Sequence, residues 1–346
     1  MDHYAGIDVS LELCSVCVVD GQGRIVKEAK IASDPDALVA WFKEAGVATR
    51  RIGLEAGPLS QWLHAGLTQA GFAVALLETR HVKAALSAMT VKTDRKDARG
   101  IAQLVRMGWF RPVHVKSMNA QELRALLAAR KLLLIKLLDV EKSIRGILRG
   151  FGLKMGHVTR KEFAARVCEL AAGQATLERI ADAMLAARSA LKSEYSKLHQ
   201  AVLAIVRQDQ VCRRMMTVPG VGPITSLTFK SAVDDPSRIK KSRAAGALFG
   251  LTPRKHQSGE KDVTGSITRV GDEAVRTVLY EAANILLVRV HRFSALKRWA
   301  MEVAKRRGAK RAKVALARKL AVILHRMWVD GTDFRWGKTQ SATGAA

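Results

Sequence analysis

The sequence predicts an α/β domain joined to an all-α remainder, and three observations carry that expectation. Strand-like and helical patterns alternate along the N-terminal part, the composition then turns leucine-rich and helical, and the C-terminal part sets helical periods around a glycine-proline turn and a polar stretch. The boundaries read as 1–118 for the α/β domain, 119–208 for a helical, coiled-coil-like middle and 209–335 for a helical C-terminal domain, with a disordered tail expected at 336–346. At 346 residues, 48% of them hydrophobic, the chain can fill two or three cores.

The strand-like runs at 4–9 and 13–19, the turn Asp20-Gly21-Gln22-Gly23 and the run 24–29 predict an antiparallel meander. Asp34 can then cap a helix carrying Leu38, Val39, Trp41 and Phe42. Residues 51–55 make the next strand, Ser60 opens a helix with Leu63, Leu67 and Ala70, and 72–77 make another strand. Three antiparallel strands followed by βα units is the order of a ribonuclease-H-like sheet. In such a sheet the ends of the first and fourth strands are neighbours. That places Asp8, which ends Tyr4-Ala5-Gly6-Ile7, beside Glu55, which ends Arg51-Ile52-Gly53-Leu54. Asp94 and Asp97, three residues apart at a helix start, share one helix face.

In the middle, Leu133, Leu137, Val140, Ile144 and Ile147 follow a 4-3-4-3 spacing, the mark of a coiled-coil-like seam. After a less regular stretch, 151–173, a second pattern runs through Leu177, Ile180, Met184, Ala187, Leu191, Tyr195, Leu198, Val202 and Ile205. The two can pair as a helical hairpin within a chain or between chains. The C-terminal part opens at Val218-Pro219-Gly220-Val221-Gly222-Pro223. Gly220 and Gly222 there resemble the phosphate-binding turn of helix-hairpin-helix modules, and equally suit a plain inter-helix turn. Residues 251–260 are a polar loop without strand or helix period. A helix at 273–289 follows, then an amphipathic segment, 297–326, whose Lys305, Arg306, Arg307, Lys310 and Arg311 point to phosphate contact.

Lys and Arg number 58 against 31 Asp and Glu, a formal charge of +27, which suits a nucleic-acid binder and not a typical metabolic enzyme. No run is long and apolar enough for a membrane span, and 1–4 lack the features of a signal peptide. The four cysteines, 14, 17, 168 and 212, are too scattered for a disulfide framework, so a reducing cytoplasm is expected. Cys14 and Cys17 fall on opposite faces of one strand and read as core. Against this basic background Asp8, Glu55, Asp94 and Asp97 stand out. Clustered carboxylates repel a polyanion unless a divalent cation bridges them, so the four read as a metal site that works on phosphates.

Gly6-Ile7-Asp8, Leu54-Glu55-Ala56, Lys92-Thr93-Asp94-Arg95-Lys96-Asp97-Ala98, Pro219-Gly220-Val221-Gly222 and Gly250-Leu251-Thr252-Pro253-Arg254, with Ser258-Gly259 after it, occur together in this order. With these motifs the chain resembles, over nearly its whole length, the DEDD transposases of the IS-one-ten type of insertion sequence, the bridge-RNA-guided recombinases. The resemblance implies a RuvC-like N-terminal domain, a coiled-coil middle and a C-terminal transposase domain, in a bacterial protein working in the cytoplasm at the nucleoid. It implies that Asp8, Glu55, Asp94 and Asp97 bind metal, with Mg2+ the expected ion. It also implies that Ser258 is a nucleophile that becomes joined to a DNA strand. A serine hydroxyl needs help to lose its proton and positive charge to stabilise the oxyanion, so Arg254, Lys255, His256 and Lys261 are candidate phosphate clamps. The implied partners are donor and target DNA, a noncoding bridge-type guide RNA and further copies of the chain, from a dimer to a synaptic tetramer. Two other functions fit the same residues: a RuvC-like resolvase in which water attacks, and a basic scaffold whose acidic tetrad is vestigial.

Overall fold

The computed structural model describes residues 2–87, 89 and 91–336. The chain folds as two compact units, Met1–Lys116 and Ser117–Ala346. The first holds β1 (His3–Val9), β2 (Leu13–Val19), β3 (Ile25–Ala32), α1 (Pro35–Glu44), β4 (Thr49–Glu55), α2 (Ser60–Gln69), β5 (Val74–Leu77), α3 (Thr79–Leu86) and α4 (Asp94–Met107). The strands form one sheet in the order β3-β2-β1-β4-β5. β2 pairs antiparallel with β1 on one side and β3 on the other, while β4 runs parallel to β1 and β5 parallel to β4. This is the ribonuclease-H-like arrangement.

Both faces of the sheet are covered, so β2 is buried from Cys14 to Val19 and shows no polar alternation. Ile7, Cys14, Val16, Ile52 and Leu54 pack against Leu38 and Phe42 of α1 and Leu63 and Leu67 of α2. On the opposite face Cys17 and Val19 pack against Ala98 and Ala102 of α4. The two cysteines therefore lie on opposite faces, both buried and free. Asp34 caps α1, accepting from the amides of Asp36 and Ala37. β3 begins one residue later than the sequence pattern suggests and runs on to Ala32, because its far end keeps pairing with β2 up to Leu13.

The second unit holds α5 (Met118–Gly150), α6 (Phe163–Ala171), α7 (Ala175–Gln208), α8 (Gln210–Met215), α9 (Pro223–Val233), α10 (Ala245–Leu248), β6 (Pro253–Ser258), β7 (Lys261–Ile267), α11 (Glu273–Val288), α12 (Ala295–Arg307) and α13 (Ala309–Asp330). The two long helices α5 and α7 pack against each other within the chain. Leu137, Ile144 and Leu148 of α5 are buried. On α7 the buried stripe is Leu177, Ala181, Arg188, Val202 and Val206, displaced from the expected one. An arginine occupies this seam because Glu141 accepts from it at 2.8 Å and its guanidinium lies 4.4 Å above the Phe163 ring. α9, α11 and α13 enclose the second core, with Phe229, Leu279, Leu286, Leu316, Leu320 and Leu324 at its centre.

Three stretches differ from the sequence expectation. The irregular stretch 151–173 contains α6, whose Phe163 and Val167 bury against α5 and α7 residues Ile144, Leu148 and Leu177. The polar loop 251–260 is half of a hairpin, β6–β7. Its strands are exposed on both faces, so neither shows the apolar alternation by which a strand is recognised. The basic C-terminal segment is two helices, broken at Gly308, which has φ +81° and ψ 157°. The tail expected at 336–346 lies, apart from Trp336, outside the described residues. No helix among the described residues is long and apolar enough to cross a membrane.

Candidate active site

Two glycines bring the carboxylates to one place. Gly6 on β1 and Gly53 on β4 are partners in the parallel register, and both face α4. A Cβ on Gly6 would lie 2.3 Å from the Ala102 nitrogen and the Ala98 oxygen, and one on Gly53 would lie 2.4 Å from a Val105 methyl. Helix α4 can settle directly on the strands only because these side chains are missing. Side chains alternate along a strand, so Asp8 and Glu55, each two residues further on, project from that same face. α4 is also set at its start: Thr93 accepts from the Lys96 amide, and Asp94 and Asp97 occupy the first turn, where the helix dipole favours negative charge.

The electrostatics record the convergence. Burial first, then repulsion from Asp97, Asp94 and Glu55, raises the Asp8 carboxyl to about 6, with Lys92 pulling slightly the other way. Burial also raises Glu55, against a lowering contact from the Thr79 hydroxyl. Lys92 forms an ion pair with Asp97 at 3.8 Å, although the lysine side chain is 85% exposed and the aspartate 15%. Residue type alone gives Lys92, Thr79 and the two glycines no role; for the glycines, their place two residues before Asp8 and Glu55 is the available signal.

Among the described residues no three His, Cys, Asp or Glu side chains stand close enough to hold a metal ion together. The donor set nonetheless fits a hard divalent cation. All four groups are carboxylates, and an Asp8 destabilised by burial and by its acidic neighbours is relieved by a positive charge among them.

The shift at Asp8 has a consequence for stability. Its folded-state pKa lies above the ordinary 3.8, so between those values the folded chain binds a proton that the unfolded chain has lost, and stability falls as pH rises through about 6. Discounted for partial exposure, ionised Asp8 costs about 1–2 kcal/mol at neutral pH without metal. Asp8→Asn is expected to be more stable than the wild type above pH 6, with the difference narrowing toward pH 4. Urea unfolding of both proteins across this range checks it, and a difference independent of pH would refute the assignment.

Ser258 ends β6 and pairs with Lys261 across the two-residue turn Gly259-Glu260. Gly259 takes φ +55° there, as the first position of a II′ turn requires. The register sorts the polar residues by face. His256 pairs with Val263 and Ser258 with Lys261, so these four share one face. Arg254 joins them, since its Cβ lies 3.9 Å from where a Gly265 Cβ would be. Lys255 projects from the other face and forms an ion pair with Asp262 at 2.9 Å. Of the four expected clamps, three therefore share the hairpin face of Ser258 and one does not. The base of the hairpin is held by backbone bonds from Thr268 to Thr252 and from Arg269 to Gly250, and by Arg276, which donates to the carbonyls of Val270 and Gly271.

Gly220 and Gly222 lie just before and at the cap of α9. A Cβ on Gly220 would come within 2.5 Å of the Ala282 carbonyl on α11, so packing requires this glycine whatever the turn binds. Lys305, Arg306, Arg307, Lys310 and Arg311 are all exposed around the α12–α13 break.

Residues 5–152 match the DEDD family model of the IS110 type, described as Transposase. Residues 212–300 match the model described as Transposase IS116/IS110/IS902 family. The four carboxylates fall within the first match and Ser258 within the second. Over 342 residues the chain is 28% identical to the transposase for insertion sequence element IS1111A of Coxiella burnetii, covering 96% of this chain and 91% of that one. Over 347 residues it is 27% identical to a probable family 20 transposase of Pseudomonas aeruginosa, covering 96% and 98%. Among solved structures, RuvC of Thermus thermophilus in complex with Holliday junction substrate aligns with a TM-score of 0.27 and 16% identity, over 33% of this chain and 100% of that one.

Proposed function

The chain belongs to the IS116/IS110/IS902 family of DEDD transposases, and on that premise we propose that it cuts and rejoins DNA through Ser258 under the direction of a noncoding guide RNA. The observation that carries the catalytic reading is the convergence of Asp8, Glu55, Asp94 and Asp97 beneath the start of α4, felt at Asp8 as a carboxyl raised to about 6. In this reading the four acids hold Mg2+, which when bound supplies positive charge to a phosphodiester and assists deprotonation of a hydroxyl.

Ser258 Oγ attacks phosphorus, its proton passes to a base, and the bond to the leaving sugar oxygen breaks, leaving the strand joined to the protein. Attack by a hydroxyl of the second strand reverses the exchange and frees the serine. Arg254, His256 and Lys261, on the same face of the hairpin, meet the phosphate's charge. Lys255 is a weaker candidate because Asp262 already neutralises it. The reading has Ser258 of one protomer meet the tetrad of another in a dimer or synaptic tetramer on donor and target DNA. Sequence choice is left to the guide, so the protein needs backbone contacts, and a net charge of +27 supplies them.

The test incubates protein, RNA, labelled donor and target DNA and Mg2+, denatures the mixture and looks for a slow, protease-sensitive DNA band. Free cut ends without the band would instead indicate a resolvase, and neither product would indicate a scaffold. Nucleic-acid affinity should also fall about a thousandfold between 50 and 200 mM salt. Neutralising Lys305, Arg306, Arg307, Lys310 and Arg311 together is expected to reduce the slope of log affinity against log salt by up to about 4. An unchanged slope would place phosphate contact elsewhere.

A further inference from the structure

Glu28, on the edge strand β3, takes no part in the steps above, yet its carboxylate is bound by two arginines of the helix that carries two of the four acids. Its Oε2 accepts from Arg95 Nε at 2.8 Å and from Arg95 Nη2 at 2.5 Å. Arg99 Nε donates to its Oε1 at 2.6 Å and Arg99 Nη2 to its Oε2 at 2.8 Å. The arrangement is built by the fold. Glu28 pairs with Cys17 in the β2–β3 register, and Cys17 packs on Ala98 and Ala102 of α4, so Glu28 emerges on the α4 side. Its side chain is only 12% exposed, against 67% and 36% for Arg95 and Arg99. Chiefly Arg99, then Arg95, holds the carboxyl down at about 2 in spite of its burial, so the pair of ion pairs persists at any working pH.

The placement of the two arginines on α4 matters. Arg95 lies between Asp94 and Asp97 in sequence, and Arg99 two residues past Asp97. Spaced four apart, they form one stripe of the helix, while Asp94 and Asp97, spaced three apart, form the neighbouring stripe. An unheld guanidinium so close to the exposed Asp94 and the partly buried Asp97 would fold over onto them. Arginine's planar fork matches a carboxylate in two bonds and would compete with a divalent cation for the same oxygens.

We propose that Glu28 is a positioning residue of the acidic site: it holds Arg95 and Arg99 on the β3 side of α4 and keeps both off Asp94 and Asp97, so that neither guanidinium competes with a divalent cation and the exposed Lys92 is left as the cation to be displaced from Asp97. The proposal rests on the reading of those carboxylates as a cation site. Glu28 touches neither cation nor DNA and acts only through the two arginines.

The test measures Mg2+ binding to the full-length protein by titration calorimetry, without nucleic acid, for wild type, Glu28→Gln, the triple variant Glu28→Gln/Arg95→Gln/Arg99→Gln, and Asp97→Asn. Glu28→Gln is expected to weaken Mg2+ binding by about 10- to 100-fold, the usual range for partners that support metal ligands from behind. The triple variant is expected to recover affinity to within about threefold of wild type, because no freed arginine remains to occupy the acids. A merely structural ion pair predicts the opposite, since removing all three partners damages the helix start at least as much as removing one. Should Glu28→Gln fail to fold, Glu28→Asp keeps the charge on a shorter stem, and a partial loss of affinity is expected. Wild-type affinity in Glu28→Gln, or a triple variant as weak as the single, overturns the proposal. If wild type takes up no Mg2+, or Asp97→Asn takes it up equally well, the cation-site reading fails first and the role of Glu28 falls with it.

Discussion

Ser258→Ala is expected to give no covalent protein–DNA species and to lower recombination at least about 10^3-fold, while binding of guide RNA and DNA stays within about twofold, since one exposed hydroxyl contributes little to a salt-driven interface. The change removes the nucleophile and nothing that holds the hairpin. Ser258 sits at the end of β6, exposed, and the strand is kept by its pairing with β7 and by the backbone bonds at its base. Ser266, on the same hairpin, is the internal control. It lies toward the base, beside the point where the register shifts between Pro253 and Lys255. Its replacement by alanine should leave the denaturation-resistant, protease-sensitive band intact. If Ser258→Ala gives the wild-type band and Ser266→Ala loses it, the nucleophile belongs at the base of the hairpin and not at its turn.

Asp97→Asn is the second large effect. Its side chain is mostly buried at the first turn of α4, repels Asp8 and Glu55, and pairs with Lys92. Asparagine keeps the shape, removes a hard anionic donor and leaves Lys92 without its partner. DNA strand cleavage in Mg2+ is expected to fall by at least about a hundredfold. Nonspecific DNA binding should hold or rise slightly, because the change adds one unit of positive charge to a basic protein. Folding should be unaffected or improved, since one member of a self-repelling cluster is gone. Cleavage at the wild-type rate, with a thermal transition also at the wild-type value, would remove Asp97 from the site.

Much of the N-terminal unit was legible because its sheet is built from local patterns. The meander's turns, the Asp34 cap and the buried runs ending at Asp8 and Glu55 lie close together in sequence, and the parallel pairing of β1 with β4 follows from strand order. The hairpin was illegible for a physical reason: a ribbon that buries neither face carries no apolar period. Its Ser-Gly-Glu-Lys turn was the available sign. The α7 seam was misjudged where Arg188 is buried, since an arginine reads as surface until Glu141 and Phe163 are known to meet it.

Residue type, order and charge were enough for the fold class, the family, the basic character and the choice of four candidate carboxylates. Which groups surround those carboxylates is a matter of packing and pairing. That α4 rests on the bare backbone at Gly6 and Gly53, and that Glu28 on a distant strand binds Arg95 and Arg99, both depend on contacts between residues far apart in the chain. The same is true of the hairpin faces, where one step of register decides that His256 and Lys261 stand with Ser258 while Lys255 turns away to Asp262. Residue type fixes what chemistry a side chain can perform; pairing and packing fix which other side chains it performs it with.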